Sequence, residues 1–373
     1  MTSKEVTLGD ISWIDARIVD PTLPENRDLP HVSGENIASV TGELLNVKSA
    51  ADDGMTSGKY GFNAGDILYS KLRPYLQKVA IPEFDGLCSA DIYPIKVDDS
   101  QVVPDYLRLV LVGKAFTEYA IEESARTRMP KLNREQLFGY RFLLPSKKAQ
   151  CSVVSTVKNA ALEVSTARMA ARAQLSEMTA LTDSIVFRSV QNAASKLSLG
   201  AVLEEVKHGV GVDWASHPVL GATRDGLAPA KEPPGKQAHK YKPAVPGTVF
   251  YNPMRILIGS IAMVDEDDTP GITSPDYVVL RGKPGVVDSR WFYYWLRSPL
   301  GANCIQSLAR GAVRERMLFN RLAEGEIALP SFADQQRASA ALKELKPLKR
   351  ALEARLAEIN LLPQKILSAA FET

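Results

Sequence analysis

The side chains best suited to recognition gather at one corner, "GDILYSKLRPYLQKV" (residues 65–79), where Lys71, Arg73, Tyr75, Gln77 and Lys78 follow a short alternating apolar run. Reading base edges in a groove takes Arg, Lys, Asn or Gln, and Lys71, Arg73 and Gln77 are of that kind, whereas Tyr75 serves core packing equally well. Further along, Arg126, Arg128, Lys131, Arg134, Arg141, Lys147 and Lys148 face a single acid, Glu135. A second basic stretch holds Arg310, Arg314, Arg316 and Arg321 against Glu315 and Glu324. Local patches of this sign in an otherwise balanced chain suit phosphate contact. Solvated charge, or salt bridges to acids such as Glu118, Glu122 and Glu123, would give the same composition.

Bond-breaking chemistry finds little support. "YNPMR" (251–255) has the Asn-Pro start of an amine-presenting methyltransferase loop, but Met254 and Arg255 stand where a second Pro and an aromatic ring belong. "HGVGVD" (208–213) lacks the strand-turn-helix frame of a nucleotide site. Pro104-Asp105 and Pro275-Asp276 are followed by no Glu-x-Lys at a plausible distance in the same globule for metal-dependent cleavage, and His31, His208, His217 and His239 pair with no evident nucleophile. Cys88, Cys151 and Cys304 are isolated, which indicates neither a disulfide framework nor a zinc site. No catalytic residue, metal or cofactor is expected.

At 373 residues, with 45% hydrophobic and 24% charged residues and a net charge of +2, the chain is long enough to bury more than one core. It shows neither a hydrophobic signal core nor an apolar run of membrane-spanning length, so a cytoplasmic protein without a membrane partner is expected.

The elements that must position these residues occur twice. Gly65, Tyr69 and Arg73 recur as Gly247, Tyr251 and Arg255, and Lys59-Tyr60 recurs as Lys240-Tyr241. "SADIYPIKV" (89–97) answers to "SPDYVVLRG" (274–282), "PDYLRLVLVGKAF" to "SRWFYYWLRSPLG", "FLLPSKKAQ" (142–150) to "IALPSFADQ" (327–335), and "LTDSIVFRSV" to "LPQKILSAAF". The chain thus reads as two tandem copies of a unit of about 180 residues. In the second, Asn252 and Arg255 are the base-reading candidates.

Each copy opens with short alternating runs that read as strands, among them "DILYSKL", "DIYPIKV", "TVFYN", "ILIGSIAMV" and "YVVLRG", followed by one or two helices. "GATRDGLAPAKEPPGKQAHKYK" (221–242) reads as a mobile loop or linker. Each globule closes on Leu-Pro-Ser and enters a long helix. On the first, Val153, Val157, Ala160, Val164, Ala167, Ala171, Gln174, Met178, Leu181 and Ile185 follow steps of four and three. Leu342, Leu345, Leu348, Leu352, Leu356, Ile359, Leu362 and Ile366 make a stripe on the second, where Pro347 and Pro363 are expected to kink or interrupt it. Helices of about 40 residues would be rods of about 60 Å. Val157, Val164, Leu175, Leu345, Leu352 and Ile359 are the expected partner-facing positions.

The expected organisation is α+β: a first globule over 1–147, a first helix over 148–195, a second globule over 196–331 and a second helix over 332–373. Two globules with a G-[DT]-[IV]-[LF]-x-[SN] corner, the Leu-Pro-Ser close, the Gln-bearing helix start and a long helix resemble the specificity subunit of type I restriction-modification enzymes. The resemblance covers essentially the whole chain, twice and in order. It implies target recognition domains that each read one half of a split, asymmetric DNA sequence, with the helices paired antiparallel as a spacer. It also implies a non-catalytic subunit whose partners are double-stranded DNA, two methyltransferase subunits and, where the system cleaves DNA, restriction subunits. The competing readings are a coiled-coil scaffold whose globules bind protein, and a DNA adenine methyltransferase.

Overall fold

The computed structural model describes residues 3–15, 17–124, 130–191, 193, 195–309 and 316–371. The chain divides into two compact units, Met1–Ala170 with Leu356–Thr373, and Ala171–Arg355. Each is mixed α+β.

In the first unit a four-stranded antiparallel sheet has the order Ser12–Ile14, Ile92–Val97, Ile67–Ser70, Val79–Ala80. A five-stranded sheet follows the order Ile18–Val19, Lys59–Phe62, Gly86–Cys88, Pro30–Val32, Lys48–Ser49. The second unit repeats this plan with Leu203–Glu205, Val278–Gly282, Val249–Tyr251, Ile261–Met263 in one sheet and Gly226–Pro229, Val219–Thr223, Gly271–Thr273, Lys242–Ala244 in the other. Among the described residues each second sheet has one parallel pairing, Pro30–Val32 on Gly86–Cys88 and Val219–Thr223 on Gly271–Thr273. Glycine is required at both. A Cβ on Gly86 would lie 2.6 Å from the Pro30 carbonyl oxygen, and one on Gly271 2.3 Å from that of Pro218.

The strand that leads into each corner is buried on both faces, for a reason its side-chain period supplies. Ile67 and Tyr69 point into the core shared with the helices, while Leu68 points into a smaller core beneath the second sheet. Val249, Tyr251 and Phe250 divide in the same way. The hydroxyls of Tyr69 and Tyr251 are buried without a hydrogen-bond partner, and burial raises both phenols above their ordinary range.

The two long helices span Lys147–Val190 and Phe332–Phe371. In the first unit, Val154 near the start of the first helix and Leu367 near the end of the second share a core. In the second unit the order reverses, with Val186 from the end of the first helix beside Ala338 and Leu342 from the start of the second. The helices therefore run antiparallel within each unit. Their seams shift partway along. Gln174 and Leu181 are exposed and Leu175, Met178 and Thr182 take the inner positions; on the second helix Leu348 and Leu362 are exposed, while Lys349 and Pro363 are half-buried. A helix of 3.6 residues per turn drifts from a strict heptad unless it supercoils. The second helix is continuous through Pro347 and Pro363, so neither proline interrupts it. Each proline removes one backbone bond, which packing on either side offsets.

A buried glutamine fastens each long helix to its own globule. The Oε1 atom of Gln150 accepts from the Val103 amide (2.8 Å) while its Nε2 donates to the Gln101 and Pro145 carbonyls (3.0 and 2.8 Å). Gln335 does the same with the Asp288 amide (2.9 Å) and the Val286 and Pro330 carbonyls (3.0 and 3.0 Å). Both side chains are fully buried, and every hydrogen bond they make closes a loop end that would otherwise be orphaned.

Two stretches differ from their sequence expectation. Of "ILIGSIAMV", only Ile261–Met263 is strand; Ile256–Ile258 is a 3-10 turn that ends at Gly259, whose φ of 84° breaks the extended run. Residues 221–242 are no linker. They contain much of the hairpin Val219–Thr223/Gly226–Pro229 and the start of the strand Lys242–Ala244. No helix among the described residues is long and apolar enough to cross a membrane.

Candidate nucleic-acid interface

In the first copy the chain leaves strand Ile67–Ser70 and meets the segment that follows the helices. The Leu132 amide donates to the Lys71 carbonyl (3.0 Å), and the Arg73 amide donates to the Pro130 carbonyl (2.9 Å). The corner and the Pro130–Leu132 part of the basic stretch, separate in sequence, are thereby joined. The second copy repeats the bond, with the Met317 amide donating to the Pro253 carbonyl (3.1 Å). The Ser-x-Asp turn stands beside each corner: Asp91 lies 3.8 Å from the Lys71 ammonium, and Asp276 lies 3.5 Å from the Arg316 guanidinium.

The corner itself is held in an uncommon conformation. Arg73 (φ 51°) and Gln77 (φ 49°) are left-handed on either side of the 3-10 turn Pro74–Leu76. Non-glycine residues reach that region at a cost of about 1 kcal/mol or more, so the surroundings must hold them there. The Gln77 amide donates to the Val112 carbonyl (2.9 Å) and to the Thr117 hydroxyl (3.1 Å), and the Lys78 ammonium donates to the Gly34 carbonyl. Lys71 is buried, donates to the Ala90 carbonyl and sits 5.0 Å from the Tyr93 ring centre. Burial, and then the nearby Lys131, lower its pKa. These three side chains brace the loop from inside. Arg73, Tyr75 and Lys131 are exposed on its outer side. Arg134 joins them, donating to the Tyr60 hydroxyl (3.2 Å) with its guanidinium 5.8 Å from the Tyr93 ring centre.

In the second copy the Asn252 Oδ1 accepts from the Met254 amide (2.9 Å), and Arg255 and Arg316 are exposed. Arg321 turns inward to the Leu308 carbonyl (2.7 Å) and to Glu324 (3.1 Å), which makes it a structural cation. Arg126, Arg128, Arg310 and Arg314 lie outside the described residues. Of the expected partner-facing positions, Val164 and Ile359 are buried within the chain, and Val157, Leu175, Leu345 and Leu352 are half-buried. The helices instead expose Leu162 and Met169, seven residues apart on one face, which the heptad count passes over because it follows only the inner seam. Met254 is exposed at the corner, and Leu257 and Ile258 are exposed beside Arg255 although the apolar run that begins at Ile256 reads as buried strand.

No family model matches the chain. It is 34% identical over 159 residues to a type I restriction enzyme specificity subunit, that of EcoDI from Escherichia coli; the match covers 43% of this chain and 35% of that protein, so it spans about a third of the relative's length. A solved chain described in terms of complex assembly and conformational transition of the type I restriction-modification system matches 99% of this chain and 97% of its own length, with a TM-score of 0.71 at 19% identity. The S subunit from Thermoanaerobacter tengcongensis matches over 99% and 96% (TM-score 0.54, 19% identity), and that from M. genitalium over 100% and 96% (TM-score 0.52, 13% identity). The fold of this chain is that of type I restriction-modification S subunits. The resemblance read from its duplicated residues holds in fold across the chain, and in sequence over the matched stretch.

Proposed function

We propose that this chain is the DNA-reading specificity subunit of a type I restriction-modification complex. Each copy reads one half of an asymmetric bipartite duplex, the long helices fix the gap between the halves, and the chain catalyses nothing itself. The supporting observation is the repeated amide–carbonyl bond, Leu132 to Lys71 and Met317 to Pro253, which sets a different group of exposed side chains in one frame at each corner. Two copies of one frame with unlike side chains suit two unlike half-sites. Methyltransferase subunits, and restriction subunits where cleavage occurs, would dock on the helices, for which exposed Leu162 and Met169 are candidates. The methyltransferase reading is disfavoured because the Asn252 side-chain oxygen, which would receive a target amine, is taken by its own turn.

Replacing Arg73, Lys131 and Arg134 together by Gln should weaken duplex binding and flatten the slope of log K against log salt by about 2 to 3, close to 0.9 for each phosphate no longer neutralised. Binding titrations of the full chain from low to physiological salt read this directly. An unchanged slope would remove the corner from the interface. Arg126, Arg128, Arg310 and Arg314 are proposed as further phosphate-binding side chains on the same grounds of charge.

A further inference from the structure

The corner of the second copy presents chemistry that the first lacks. Met254 (50% exposed), Leu257 (54%) and Ile258 (65%) stand in solvent on and just before the turn Ile256–Ile258. Leu318 (46% exposed) adjoins them through the Met317–Pro253 bond. Cations surround this apolar centre. Arg255 lies within it, Arg316 is 3.5 Å from the well-exposed Asp276, and the Cγ of Arg224 is 3.9 Å from where Gly259 would carry a Cβ.

In the first copy the equivalent corner exposes Arg73 and Tyr75 beside the matching Leu132–Lys71 backbone bond, so both corners face one class of ligand. Arginines at the rim favour a polyanion, while the apolar centre requires an apolar feature on that polyanion. Duplex DNA supplies one in its major groove, the 5-methyl group of thymine, which apolar side chains contact. We propose that Met254, Leu257 and Ile258 read thymine methyl groups in the half-site bound by the second copy. The assignment rests on the DNA-reading function proposed above.

The test uses the full chain to enrich bound duplexes from a random library, then replaces thymine by uracil in each half-site in turn. Uracil pairs identically and lacks only the methyl group. Binding should fall about 4-fold for each contacted thymine replaced, the worth of one buried methyl, and in one half-site only. Met254→Ala, Leu257→Ala and Ile258→Ala combined should bring the affinity for the thymine duplex down to that for the uracil duplex, with the salt slope unchanged. Ile258→Ala alone, at the most exposed of the three, should remove part of the difference. Equal binding of thymine and uracil duplexes would overturn the assignment and leave DNA reading intact, as expected if the patch is covered by a protein. So would discrimination that survives the triple variant. Failure to enrich any duplex would overturn the DNA-reading function, and this inference with it.

Discussion

Arg290→Ala destabilises the second unit by about 2–3 kcal/mol, less than the roughly 3–5 kcal/mol of a buried charge left wholly unpaired because Lys346 stays on the carboxylate. The charge left behind is Asp265, whose side chain is only 3% exposed. Arg290 holds both of its oxygens through Nε (3.2 and 3.3 Å), adds a further bond from Nη2, and reaches the Ser339 hydroxyl (3.2 Å) on the second long helix. Lys346 on that helix bonds Asp265 (3.1 Å) and Asp268 (3.0 Å), and Arg350 bonds Asp268 (3.0 Å). The turn after strand Ile261–Met263 is thus clamped to a globule helix and to the second long helix together. Burial alone would raise the Asp265 carboxyl; the Arg290 hydrogen bonds, the Glu266 amide and Lys346 outweigh it and hold the pKa down at about 2. A pKa lowered on folding contributes stability that is fully present above the unfolded value and is lost as pH falls through the folded one. The gap between wild type and Arg290→Ala should therefore narrow as pH drops from about 4 to about 2. Denaturant unfolding followed by circular dichroism at several pH values measures both effects. A loss below about 1 kcal/mol at neutral pH would mean that the cluster is screened like a surface pair. The first unit offers the contrast: Lys158 meets Asp105 at 3.0 Å with its own side chain well exposed and Asp105 half-buried, so Lys158→Ala should cost under about 1 kcal/mol.

Gln335→Leu and Gln150→Leu each loosen one long helix from its globule. Either change leaves one amide and two carbonyls without partners in a fully buried position. A buried group left unpaired costs about 1–3 kcal/mol, and partial relief by water brings the total to roughly 2–5 kcal/mol. Gln335→Glu keeps the acceptor for the Asp288 amide but sets a carboxylate against two carbonyls, so it should be no milder than Leu. Hydrogen exchange locates the effect: faster exchange at the Asp288 amide and through the first turns of the second helix for Gln335→Leu, and at Val103 and the first turns of the first helix for Gln150→Leu. Exchange and unfolding indistinguishable from wild type would show that the glutamines do not fasten the helices.

The duplication was legible because it lives in residues whose local geometry admits few substitutes. Gly65 and Gly247 adopt φ of 89° and 83°, and Gln150 and Gln335 each satisfy three backbone groups at once. The corner was legible as a place, because a buried alternating strand must be followed by whatever it delivers to the surface. Which of its side chains face outward was not. Lys71, Gln77 and Lys78 have the same composition whether they brace a loop or meet a ligand, and only the carbonyls of Ala90, Val112 and Gly34 decide between these. The exposed Leu257 and Ile258 were illegible for the converse reason. Apolar residues are assigned to cores by default, and the break at Gly259 is a backbone event that hydrophobic pattern does not record. The continuous helix through Pro347 and Pro363 reflects tertiary packing overriding local propensity.

Two copies of one frame that read two unlike half-sites at a set distance leave a signature in the methylation of the genome. Mapping methylated adenines genome-wide, in cells carrying the chain with its methyltransferase subunits and in the same cells after its deletion, tests this most directly. The expected result is one asymmetric bipartite motif with a constant gap, abolished by deletion of the chain. A contiguous or palindromic motif, or a methylation map unchanged by the deletion, would contradict it.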